Sequence, residues 1–185
     1  MNTINGKIKI VRQISKGIYF DTFEGSHALL NRPVFLKVAR ISDDPSAASI
    51  VAAHVDHWRA LALVQVPGMP VIFDIGQEGG RWFLSTEWIK SPSLRTLCSE
   101  ISASIIDQSK FLILLLERCL TVLQTLHEQR FFHADISPGN ILVDPHPRPS
   151  FIYLVDSAPP LNLPDPTDPN VGSFWVRLIF WPLRC

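Results

Sequence analysis

The sequence predicts an α+β fold in two parts, a small antiparallel sheet carrying one helix and then a helical region. Three observations lead there. Short β-rich runs recur over residues 7–40 and 71–86, and leucines recur at helical steps over 107–130. Between them the pattern changes character after residue 88. Side chains of a strand repeat every second residue and those of a helix every 3.6, so the two halves are distinguishable by period alone.

In chain order, Ile8, Ile10 and Ile14 mark a first strand and Tyr19-Phe20-Asp21-Thr22-Phe23 a second. Asn31-Arg32-Pro33 breaks the second from a third, Val34-Phe35-Leu36-Lys37-Val38, whose residues suit a pleated sheet. From Pro45 to Val64 the spacing is helical, with Val51, Val55, Trp58 and Leu61 on one side, and Val66-Pro67-Gly68-Met69-Pro70 ends it. Two more strands, 71–77 and 82–86, are joined at Glu78-Gly79-Gly80. Five strands and one helix make the first part.

A short helix is expected from Ser93, then a long one over 107–130 capped by Asp107 or Ser109. Leu112, Leu115, Leu116, Cys119, Leu120, Leu123 and Leu126 form its broad apolar face. Ile141–Val143 and Ile152–Val155 read as a hairpin across a proline-rich turn at 145–149. Residues 158–169 are rich in Pro and Asp, and regular structure is not expected there.

Composition excludes several classes. Of 185 residues 46% are apolar and 18% charged, a globular balance. The 17 basic and 17 acidic side chains cancel without a basic stripe, so no nucleic-acid partner is expected. Cys98, Cys119 and Cys185 have no C-x-x-C spacing; Cys98 and Cys119 read as small buried apolar residues in helices. The polar N-terminus resembles no signal peptide. The longest apolar run before the C-terminal segment, residues 111–116, is far short of the ~20 residues of a membrane span. The expected location is the cytoplasm.

The chemistry concentrates in His133-Ala134-Asp135-Ile136-Ser137-Pro138-Gly139-Asn140. An aspartate five residues before an asparagine, on a loop between a helix and a hairpin, can put both side chains into one cleft. The aspartate can take a proton from a hydroxyl, and the amide oxygen can ligate a hard cation such as Mg²⁺. Asp156, at the end of the hairpin's second strand, could share that metal. The competing account is a capping aspartate and a turn asparagine, which leaves the His, the Pro-Gly and the second Asp unexplained together.

This segment resembles the catalytic loop of the protein kinase superfamily, H-x-D-x-x-x-x-N, followed by the Asp of D-F-G. The resemblance implies a protein-kinase-like fold: a nucleotide-binding lobe over 1–88, a partial second lobe with the catalytic loop over 89–158, and a remnant activation segment with an atypical apolar tail over 159–185. It implies ATP and Mg²⁺ as cofactors, Asp135 as catalytic base, and Asn140 and Asp156 as metal ligands. His133 would be the loop's structural histidine. Val34-Phe35-Leu36-Lys37 is similar to the third-strand V-A-I-K, with Lys37 on the α- and β-phosphates and Phe35 in the adenine roof. Gly17 would belong to the phosphate loop, Thr86 would be the gatekeeper, and the Glu87 carbonyl and Ile89 amide would face adenine.

Departures are equally legible. Ser15 and Phe20 stand where two of the three phosphate-loop glycines would, and Phe35 replaces a small roof alanine. His57 falls at the position of the helix glutamate, and its neighbour Asp56 is about 100° away around the helix. Asp156-Ser157-Ala158 replaces D-F-G, Ala134 the loop arginine, and Ser137 the lysine common in Ser/Thr kinases.

The resemblance thus implies a Ser/Thr-type protein kinase domain in a truncated copy of little activity. A pseudokinase binding or scaffold module is the alternative, and an aminoglycoside-type small-molecule phosphotransferase, favoured by Pro138-Gly139-Asn140, is a third. The chain reads as a truncated or frame-shifted product with native residues ending near Phe174, and the apolar Trp175–Cys185 run is expected to drive self-association. The protein substrate or partner is not specified.

Overall fold

The computed structural model describes residues 3–100, 105–144 and 152–159. It divides into two compact units, Met1–Lys90 and Ser91–Cys185.

The first unit holds a six-stranded antiparallel sheet in the order β1-β2-β3-β4-β6-β5. Its strands are β1 (Thr3–Ile4), β2 (Ile8–Lys16), β3 (Phe20–His27), β4 (Arg32–Ala39), β5 (Ile72–Glu78) and β6 (Arg81–Glu87). The sequence pattern predicts five strands, and β1 corrects that number to six. It exists because Asn5 and Gly6 adopt φ of 52° and 61° and fold Ile4 back opposite Ile8. Asn and Gly are the residues that enter this left-handed region at least cost. The same rule closes β5 onto β6: Gly79 and Gly80, at φ of 56° and 73°, leave Glu78 facing Arg81.

Alternation along β4 gives the sheet two apolar faces. Val34, Leu36 and Val38 pack with Ile4, Ile8 and Phe83 on one side. On the other, Ala39 joins Phe20 and Leu84 beneath Val55 and Trp58 of helix α1 (Pro45–Leu61). Asp44 caps α1 by accepting from the Ser46 amide at 2.9 Å, and Pro45 takes the first helical position, where a missing N–H costs nothing.

The second unit contains α2 (Leu94–Glu100), α3 (Ile105–Glu128) and the hairpin β7 (Ile141–Val143) and β8 (Ile152–Leu154). Because α3 begins at Ile105, Asp107 and Ser109 lie inside it and neither caps it, contrary to expectation. The helix stops where Arg130 turns left-handed at φ of 63°. There the Phe131 amide donates to Leu126 O at 3.0 Å and the Arg130 amide to His127 O at 2.8 Å. These two bonds are the Schellman pattern, which satisfies the last carbonyls and reverses the chain into the next loop.

The apolar face of α3 is narrower than its leucines implied. Leu115, Cys119, Val122 and Leu126 are buried, whereas Leu112, Leu116 and Leu120 are exposed. Cys98 is only half-buried, while Cys119 is buried as expected and burial pushes its thiol up to about 11. Among the described residues no helix is long and apolar enough to cross a membrane. The proline-rich turn, the stretch from 160 to Phe174 and the apolar tail, Cys185 included, lie outside the described residues.

Candidate functional site

The first unit holds three buried polar side chains, Thr22, Lys37 and Thr86, on one face of its sheet. Antiparallel register sets Thr22 opposite Lys37, Lys37 opposite Leu84 and Phe35 opposite Thr86. Directly opposed residues share a face, so Phe35, Lys37 and Thr86 lie on the side covered by α1. Lys37 and Thr86 are both buried, and Phe35 is half-buried. Next along β6, the Glu87 carbonyl accepts from Thr86 Oγ1 at 3.3 Å, and Ile89 is half-buried just past the strand.

Gly17 lies in the turn between β2 and β3. Its amide donates to Phe20 O at 2.9 Å, and a Cβ on it would fall 2.5 Å from that same oxygen. Only glycine permits so tight a closure. Arg40, which sequence reasoning did not single out, holds this turn from the residue just past β4. Its guanidinium donates to Gly17 O at 2.8 Å and its amide to Tyr19 O at 2.8 Å. No sequence signal marks Arg40, because its partners are backbone atoms of a distant turn.

On α1, His57 is buried, while Asp56 is turned to solvent and accepts from Arg59 at 3.2 Å. The sequence separation of about 100° between them is what the helix realises.

The second unit brings Asp135, Asn140 and Asp156 into one loop cluster. Asn140 Nδ2 donates to Asp135 Oδ2 at 2.8 Å and to Asp135 O at 3.0 Å. With both amide hydrogens directed at Asp135, the amide oxygen Oδ1 is turned away from it as an acceptor. The Asn140 amide itself donates to Ser137 O at 2.9 Å, closing the Ser137-Pro138-Gly139-Asn140 turn. Two backbone bonds then tie the hairpin's exit to this loop: Val155 N to Asn140 O at 2.9 Å, and Ala158 N to His133 O at 3.0 Å.

Asp156 sits between those ties with φ of 61°, and Ala134 precedes Asp135 with φ of 58°. Left-handed backbone at non-glycine residues costs of order 1 kcal/mol each and persists where the surroundings enforce it. Here the enforcing bonds are the two just named. Asp135 and Asp156 are exposed, so their carboxylates stay wet.

His133 underlies the cluster with 1% of its surface exposed. Neither ring nitrogen meets a hydrogen-bond partner among the described residues. Burial pushes its pKa down to about 4, against weaker opposing pulls from the Asp156 carboxylate and from backbone groups of Val155 and His133 itself. The ring is therefore neutral at pH 7 and acts as a packed support of the loop.

Comparisons with known proteins bear on the family and the fold. A family model described as "ABC1 atypical kinase-like domain" matches residues 55–179. Casein kinase I homolog 3 of Schizosaccharomyces pombe is 26% identical over 143 residues, which are 77% of this chain and 30% of that protein. Serine/threonine-protein kinase PrkC of Bacillus subtilis is 23% identical over 141 residues, 76% of this chain and 21% of that protein. The chain thus spans between about a fifth and a third of the length of these relatives. Among solved structures, "PpkA-294 apo form" superposes with a TM-score of 0.68 at 18% identity, covering 86% of this chain and 61% of that one. The fold is kinase-like, and with two thirds of its length matched the chain belongs to the ABC1 atypical kinase-like domain family, within the protein kinase superfamily.

Proposed function

We propose that this protein is an ATP-dependent phosphotransferase whose second unit supplies the reacting groups and whose first unit supplies nucleotide contacts. The observation that carries this reading is the pair of hydrogen bonds that Asn140 Nδ2 donates to Asp135, at 2.8 Å to Oδ2 and 3.0 Å to the backbone oxygen. It orients the Asp135 carboxylate as an acceptor and frees the amide oxygen for a hard cation. A carboxylate so held can take the proton of an incoming hydroxyl as its oxygen bonds to the γ-phosphorus of ATP and the bond from that phosphorus to the bridging oxygen breaks, releasing ADP.

The residues fit Mg²⁺. Asn140 Oδ1 and the Asp156 carboxylate are oxygen donors on one loop cluster, and Mg²⁺ takes few protein ligands, completing its shell with water and phosphate oxygens. When bound, the ion would neutralise charge on the phosphates. Lys37, on the sheet face with Phe35 and Thr86, is the candidate contact to the α- and β-phosphates. Protein Ser/Thr hydroxyls are the acceptors this reading favours, on the strength of the kinase relatives. The test is transfer of labelled phosphate from Mg·ATP to a generic protein substrate. The expected outcome is measurable transfer that Asp135→Asn lowers by at least about 100-fold, the lower end of a general-base contribution. Equal rates in the two proteins would overturn the assignment.

A second reading, a nucleotide-weak binding module, is favoured by one observation. The Gly17 amide, which a phosphate loop would present to the nucleotide, already donates to Phe20 O at 2.9 Å. In that case Mg·ATP binds weakly and transfer is absent from wild type and variant alike.

A further inference from the structure

The phenylalanine in place of a phosphate-loop glycine has a position of its own. We propose that Phe20 is the positioning residue of Lys37: its ring, locked between two aromatic side chains of α1, holds the lysine ammonium at a set point on the sheet face.

Sheet register explains how they meet. Phe20 pairs with Ala39 and Thr22 with Lys37, so Phe20 and Lys37 are diagonal neighbours on one face. Diagonal pairs are roughly 7–8 Å apart at the backbone, within reach of an aromatic and a long side chain. The residue opposite Phe20 is an alanine, too small to hold the ring away. The Lys37 ammonium lies 5.2 Å from the Phe20 ring centroid, inside the distance at which the negative face of a ring attracts a cation.

The ring is itself restrained. Its centroid is 5.2 Å from that of Trp58 and 5.0 Å from that of His54, at tilts of 55° and 59°. These are geometries that aromatic pairs prefer. The Phe20 carbonyl is held by the Gly17 amide, and Phe20 is 6% exposed against 8% for Lys37. Burial matters because water competes for the ammonium wherever it can reach it. A glycine at position 20 would leave this face of Lys37 without that contact. The substitution that weakens the loop's hold on phosphate therefore adds a second restraint on the phosphate-binding lysine. Its consequence for nucleotide rests on the phosphotransferase reading above; the contact itself does not.

The test separates the two. In protein carrying ¹³C-labelled lysine, the ε-methylene resonance of Lys37, identified by its loss in Lys37→Arg, is expected upfield of the other lysines because of the Phe20 ring current. Phe20→Leu should return it to their position and Phe20→Tyr should keep it upfield. Phe20→Met serves the same purpose if the leucine variant does not fold. A wild-type resonance among the ordinary lysines, or one unmoved by Leu or Met, would overturn the proposal.

Mg·ATP affinity is then measured on the same proteins. Loss of the ring is expected to weaken binding about 3- to 30-fold, with Tyr restoring it, the range of a part-buried cation–π contact. Wild-type protein that binds no Mg·ATP would defeat the phosphotransferase reading, while the Lys37 resonance would still decide the positioning role.

Discussion

At the scale of single residues, the second unit's cluster is built on a buried, neutral histidine. An unfolded His133 titrates near 6.5 and the folded one near 4, so the unfolded chain takes up the proton first. Stability contributed by the neutral ring is therefore complete above about pH 6.5 and is lost as pH falls towards 4. The difference corresponds to about 3 kcal/mol across that window. Urea unfolding at pH 7 and pH 4.5 should show this slope in wild type, and His133→Leu should flatten it. An equally steep loss in the variant would assign the acid sensitivity to other groups. The left-handed Ala134 and Asp156 on either side of this support show why the loop cannot be read as an ordinary turn.

At the scale of elements, α3 has one side packed and one side bare. Leu126 is 0% exposed and Leu116 is 58% exposed, although both sit at helical spacing from other leucines. Leu126→Ala should cost about 2–5 kcal/mol, the range for a large buried side chain cut to alanine. Leu116→Gln should change stability by less than about 0.5 kcal/mol, as exposed substitutions do. Chemical denaturation of the two variants checks this, and similar losses in both would mean that the helix is covered on both sides. With Ile113 and Leu120 also exposed, this face is a candidate for the self-association that the sequence reading attached to the C-terminal run. The glutamine variant should then sediment with less concentration dependence than wild type.

At the scale of the whole molecule, the groups proposed to act on nucleotide are divided between the two units. Lys37 and the Gly17 turn belong to the first, and Asp135, Asn140 and Asp156 to the second. The groups proposed to hold Mg²⁺, Asn140 and Asp156, keep oxygen ligands, whereas the Gly17 amide is engaged within its own turn. Nucleotide binding should accordingly be weak and dependent on Mg²⁺. Calorimetric titration of ATP with and without the metal should give micromolar or weaker binding with Mg²⁺ and a marked loss without it. Submicromolar affinity indifferent to the metal would contradict this account. Asp156→Ala should lower affinity only when Mg²⁺ is present.

Much of this protein is legible from local pattern. Alternation in Val34–Val38 and the Gly79-Gly80 turn specify strands and a hairpin because strand period and positive φ are properties of neighbouring residues. The order of Lys37, Asp135, Asn140 and Asp156 likewise points to a kinase-like chain before any contact is seen. Even the overlooked β1 was signalled by Asn5-Gly6, a turn pair flanked by isoleucines. Other features depend on what lies across space. Which leucines of α3 are buried is set by the elements that cover them, and helical spacing alone cannot rank Leu115 above Leu116. The grip of Arg40 on Gly17 joins residues 23 apart through a backbone oxygen, which leaves no mark on side-chain pattern. Phe20 reads in sequence as a strand residue and as a missing glycine. Its place against Trp58, His54 and Lys37 follows from sheet register and from the helix laid over that face, and those are decided by tertiary packing.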